Sequence, residues 1–119
     1  MLDNRIRAAA PPGTVIPKPY ARGPFRVKGD GMRRRQPALI YTIPNHRYPR
    51  QPHEKGVTYA ELQAAYAELC DTGHLTLDWF RRALPKSYAE GSCNFTTIGG
   101  LLTLLGEAAY QGPGTYTKR

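Results

Sequence analysis

Seven basic residues in the first half of the chain, Arg26, Lys28, Arg33, Arg34, Arg35, Arg47 and Arg50, are interleaved with Tyr20, Phe25, Tyr41 and Tyr48. These residue types do one kind of chemistry together. Lys and Arg neutralise phosphates, and Arg and Tyr stack on exposed bases. The bias is regional: residues 1–55 carry twelve Lys or Arg against three Asp or Glu, and residues 56–119 carry five against six. Nearly all of the +8 net charge therefore belongs to one half of the chain. A basic half joined to a neutral, patterned half points to a polyanion as partner.

A second set of candidates lies in the neutral half. Ser92, Asn94, Thr96 and Thr97 would stand at the amino end of a helix, where free amides and the helix dipole favour a phosphate. Asn can read adenine, and Thr can meet a base edge or a thymine methyl. Lys86 in front of that helix, and Lys118 and Arg119 behind it, add cations.

Enzymatic patterns are weaker. Asn45, His46 and His53 lack the paired metal-ligand spacing and following helix of an HNH nuclease. Glu54 and Lys55 are adjacent, so the acid-x-Lys pair of a metal-dependent nuclease is missing. No P-loop, G-x-S-x-G or H-E-x-x-H occurs. Cys70, His74 and Cys93 include no short paired spacing for zinc, and two cysteines make no disulfide framework. The expectation is a non-enzymatic protein without metal or cofactor, its thiols reduced. No apolar run approaches the length of a membrane span, and Met1–Arg5 opens no secretory signal. The expected location is the cytoplasm, in association with nucleic acid and with no membrane partner.

The elements that must position these residues differ between the halves. Nine of eleven prolines fall in residues 11–52, so residues 1–24 read as an extended, helix-free basic arm. Residues 25–55 read as a short β-rich segment and linker. Phe25–Lys28 and Pro37–Ile43 are strand-like, Gly29-Asp30-Gly31 is a turn signal, and Arg33–Arg35 sit on the connection. From residue 56 the grammar turns helical. Thr58 and Glu61 form a capping box, Leu62, Ala65, Tyr66 and Leu69 follow at helical spacing, and Gly73 closes the helix. A second helix starts near Thr76 or Asp78 and stops before Pro85. A third runs from Ser92 to Leu105, with Phe95, Ile98, Leu101, Leu102 and Leu105 as its apolar stripe. Gly99 and Gly100 inside it announce a close approach, more by another element than by a nucleic-acid backbone. Ala108–Thr117 reads as a hairpin about Pro113-Gly114.

Three short helices followed by a hairpin resemble the winged helix-turn-helix superfamily, over residues 57–119 and at the level of architecture. The resemblance implies an α+β fold in which the hairpin is a wing and helix 92–105 enters a groove of duplex DNA. The arm and wing would lie on phosphates. Two features depart from that pattern: Pro85–Gly91 is long for the turn, and helix 92–105 has no Lys or Arg. The alternative is a protein-interaction or RNA-associated subunit of a larger nucleoprotein assembly, its arm threaded along nucleic acid or a partner.

Overall fold

The computed structural model describes all 119 residues. Its elements, in order, are α1 (Leu2–Ala9), β1 (Val15–Ile16), β2 (Phe25–Arg33), β3 (Gln36–Ile43), β4 (His53–Thr58), α2 (Tyr59–Thr72), β5 (His74–Thr76), α3 (Leu77–Ala83), α4 (Pro85–Glu90), α5 (Cys93–Leu104), β6 (Ala108–Gly112) and β7 (Thr115–Lys118). The first four strands form one antiparallel sheet in chain order. The last three form a second, ordered β5-β7-β6.

This order overturns the winged-helix expectation. Five helices and two sheets replace three helices and a wing, and the larger sheet comes from residues expected to be arm and linker. The physical reason is burial. Ile6, Ala10, Ile16 and Val27 join one core with Leu62, Leu101 and Tyr116. The first half supplies core, so it cannot trail as an arm. Pro11 and Pro12 end a helix; they do not forbid one before them, and α1 occupies Leu2–Ala9. The Gly29-Asp30-Gly31 turn is also corrected. These residues lie inside β2, beside an irregularity between Val27 and Gly29. The chain reverses at Arg34 and Arg35, both at positive φ, as a two-residue hairpin turn requires.

Local signals hold in the second half. Thr58 accepts from the Glu61 amide at 3.0 Å, and Glu61 accepts from the Thr58 amide at 2.9 Å. Gly73 closes α2 at φ +81. Thr76 caps α3 by accepting from the Trp79 amide.

α5 is the central element, not a surface one. Asn94, Phe95 and Thr97–Leu102 are all buried. A Cβ on Gly99 would enter the Tyr116 ring on β7, and one on Gly100 would enter the Pro17 carbonyl beyond β1. The double glycine therefore lets both sheets close on one helix, at roughly 1 kcal/mol of helix propensity per glycine. No helix is long and apolar enough to cross a membrane.

Candidate nucleic-acid interface

Pairing within the larger sheet sorts the basic residues. Arg26 stands opposite Thr42, Thr42 opposite Glu54, and Ile43 opposite His53. The start of β2, the end of β3 and the start of β4 thus lie at one end of the sheet. Segments 17–24 and 44–52 leave from that same end. A Cβ on Gly23 would sit 3.0 Å from Pro44 and 3.9 Å from His46, so the two segments run side by side.

Five cations without an acid within 4 Å gather there: Arg22, Arg26, Arg47, Arg50 and Lys55. His46 and His53 add imidazoles, and the local acid, Glu54, is occupied by Lys28 at 2.6 Å. Tyr20 is 89% exposed and Tyr48 is 52% exposed. The Arg47 guanidinium lies 5.3 Å from the Tyr48 ring centroid, within cation–π range.

The loop is built to present these groups. Asn45 Nδ2 donates to the Gln51 carbonyl at 2.9 Å, and Asn45 Oδ1 accepts from the amides of Arg47 and Tyr48. The Gln51 amide donates to the Tyr48 carbonyl at 2.8 Å. An Asx turn therefore clasps residues 45–51 and turns Arg47, Tyr48 and Arg50 outward. These three, with Pro49 and Gln51, line a hollow of about 320 Å³. Next to it, Phe25, Ile43, His53, Glu54, Lys55 and Cys93 line a cleft of about 550 Å³. Apolar floor and cationic rim suit an unstacked base and its phosphate.

The other sequence candidates lie elsewhere, are already partnered, or only border that end. Arg33, Arg34 and Arg35 stand at the far end of the hairpin, roughly 26 Å along β2. Arg34 forks onto Glu61 at 2.7 and 2.8 Å and reaches Glu90 at 3.2 Å. Arg33 meets Glu90 at 3.3 Å. These two tie the hairpin turn to α2 and α4 and are spent on carboxylates. Arg35 is exposed and without an acid partner, but alone. Lys28 pairs with Glu54, and Lys118 with Glu107. Lys86 and Arg119 are exposed; Ser92 is exposed too, between Gly91, which lies against Lys55, and Cys93, which lines the sheet-end cleft.

Asn94 and Thr97 are fully buried and cannot read bases. Asn94 Oδ1 accepts from Tyr41 Oη at 2.6 Å, and its Nδ2 donates to the Ser87 carbonyl and to Glu90. The Thr97 hydroxyl is buried without a hydrogen-bond partner. Tyr41 is itself in the core, and burial pushes its phenol well above the usual tyrosine range. Thr96 accepts from the Lys18 ammonium at 2.7 Å. Cys70 and Cys93 are free thiols, and no three His, Cys, Asp or Glu residues form a metal-holding group.

Sequence reading missed Lys18, Arg22 and Lys55. The signal was the pair of proline-rich segments, 17–24 and 44–52, each flanking a strand of one hairpin. Lys18 is the most perturbed cation. Burial pulls its ammonium down to about 7; Cys93 opposes the shift and Lys55 adds to it. An unfolded lysine titrates near 10.4. Between those values the unfolded chain binds more protons, so stability should rise with pH from about 7 to 10. Urea midpoints at about pH 7.5 and 9.5 check this, and Lys18→Met should flatten the rise.

The chain matches no protein-family profile, no curated protein and no solved structure. Its function therefore has to be argued from its own surface.

Proposed function

We propose that this chain binds nucleic acid through the end of its larger sheet, where segments 17–24 and 44–52 emerge. The observation that carries the reading is the gathering of five cations without acid partners on the same segments as exposed Tyr20 and Tyr48. Arg22, Arg26, Arg47, Arg50 and Lys55 would track the phosphates. Tyr20 and Tyr48 would stack bases, and the cleft floored by Phe25 and Ile43 has room for one more.

Single strands are the favoured form. Duplex reading needs an element that enters a groove, and α5 is buried. Tyrosines on open loops instead need bases with a free face. The absence of Lys and Arg from α5, which made a protein partner attractive, is accounted for by its place in the core.

The test is a salt titration with single-stranded and duplex oligonucleotides of the same length. Each phosphate neutralised on a single strand contributes about −0.7 to the slope of log K against log salt. Four or five contacts give a slope of about −3, with the single strand bound more tightly. A slope near zero, or stronger binding of the duplex, contradicts the reading.

A further inference from the structure

We propose that the cleft at the sheet end binds a phosphomonoester, with Lys55 as its anchoring cation. The source is the terminal phosphate of a bound strand or a free nucleotide. The strand source rests on the function proposed above; the free nucleotide does not.

The state of the five lysines carries this. Lys28 and Lys118 hold Glu54 and Glu107, each at 2.6 Å. Lys18 Nζ donates to the Cys93 carbonyl at 2.8 Å and to Thr96 Oγ1 at 2.7 Å. Lys86 stands in solvent. Lys55 alone is half-buried with neither an ion pair nor a hydrogen bond to a protein acceptor. Its ammonium has three donors to satisfy, and partial burial makes an unmet one costly. The acids nearest it are taken: Glu54, its neighbour in β4, by Lys28, and Glu90, the neighbour of Gly91, by Arg33 and Arg34.

The fold makes room for this ammonium. A Cβ on Gly91 would collide with Lys55 Nζ and press on Cys93 Sγ. The missing side chain leaves a hollow that the two share. Lys55 and Cys93 both line the cleft of about 550 Å³, with Phe25, Ile43 and His53. That volume is within the range of small-molecule sites, about 300–1,000 Å³.

Charge decides the kind of phosphate. Lys18 touches two residues that line the same cleft, because its Nζ lies 4.3 Å from the Phe25 ring centroid as well as on the Cys93 carbonyl. Two ammonium charges thus meet at one cleft whose single acid, Glu54, is neutralised by Lys28. α5 starts at Cys93 on the same wall, and its macrodipole adds to the positive potential. An internal phosphodiester carries one negative charge and suits the exposed arginines. A phosphomonoester carries about −1.5 to −2 at pH 7 and has a third free oxygen. The recessed lysine pair matches that charge. Phe25 and Ile43 leave an apolar floor for the attached base.

Anisotropy on the intact chain tests the site with three oligothymidylates of about 12 nucleotides. One ends in hydroxyls, one in a 5′-phosphate and one in a 3′-phosphate. A calorimetric arm compares thymidine 5′-monophosphate with thymidine. The phosphate is expected to raise affinity at least about tenfold in one arm or both, and the arm that responds identifies the source. Lys55→Met removes the charge and keeps most of the stem. Gly91→Ala keeps the net charge and displaces the ammonium; Gly91 is extended, at φ 170, which alanine adopts freely. Both should bring the ratio of phosphorylated to unphosphorylated affinity down towards one. The hydroxyl-ended strand reports strand binding separately. Its binding with no phosphate preference in either arm overturns this proposal and leaves strand binding standing. Preference for the nucleotide without binding of any strand supports this proposal and overturns the strand reading. A preference undiminished in both variants places the phosphate elsewhere and overturns the proposal.

Discussion

Arg34→Met is expected to destabilise the fold by about 3 kcal/mol at neutral pH. The guanidinium makes a bidentate pair with Glu61, reaches Glu90 at 3.2 Å and donates to the Gly56 carbonyl at 2.8 Å. The side chains of Arg34 and Glu61 are only 17% and 11% exposed. Removing the cation leaves two carboxylates facing each other with little water, a loss of about 3–5 kcal/mol for a buried pair. Glu61 and Glu90 keep some partners, the Thr58 amide for one and Asn94 for the other, which places the loss at the lower end. Arg34→Lys should recover only part of it, because an ammonium cannot fork onto both Glu61 oxygens. The pH response should change too. The Glu90 carboxyl is held below its ordinary value by Asn94, the Gly56 amide and Arg34, against the opposing effect of burial. Its stabilisation is present above the unfolded value and lost as pH falls through the folded one. Arg34→Met should shrink that acid-side loss. Urea unfolding at about pH 7 and pH 4 measures both effects.

Replacing Arg22, Arg47 and Arg50 together by Gln should lower affinity for single strands on the order of 100-fold at about 0.1 M salt. Each lost phosphate contact forgoes release of about 0.7 counterion, worth roughly 1 kcal/mol at that salt. The three side chains are exposed and carry no ion pair, so stability should stay within about 0.5 kcal/mol of the parent. Arg35→Gln is the matched control. It removes an equally exposed, acid-free arginine from the far end of the hairpin and should change affinity less than about twofold. Equal losses from both variants would mean that net charge, not the sheet end, governs binding.

Local chemistry was legible in the sequence wherever it closes over a few residues. The Thr58–Glu61 box, Gly73 and the Thr76 cap each need only three or four neighbours, and all stand as the spacing implies. Arg34 and Arg35 fall on a connection as expected, while Arg33 ends β2, paired with Gln36. Long-range pairing was not legible. β4 takes His53–Thr58 because β3 offers it a partner edge, not because those residues favour strand, and β1 is two residues held on β2. The acids of the second half also reach back: Glu107 to Arg5, and Glu61 and Glu90 to Arg33 and Arg34. The segregated charge is thus partly neutralised within the molecule, and only the remainder at the sheet end is free for a partner. Asn94 and Thr97 show how buried polarity can imitate a reading surface. The residue types suit base edges, but burial assigns Asn94 to Tyr41, Ser87 and Glu90.

Ultraviolet cross-linking of an oligothymidylate of about 12 nucleotides, with the adducts mapped by mass spectrometry, tests the central claim most directly. Adducts on the peptides carrying Tyr20, Phe25 and Tyr48 are the predicted result. Adducts confined to the far end of the hairpin, around Arg35, or none at the sheet end, would contradict it.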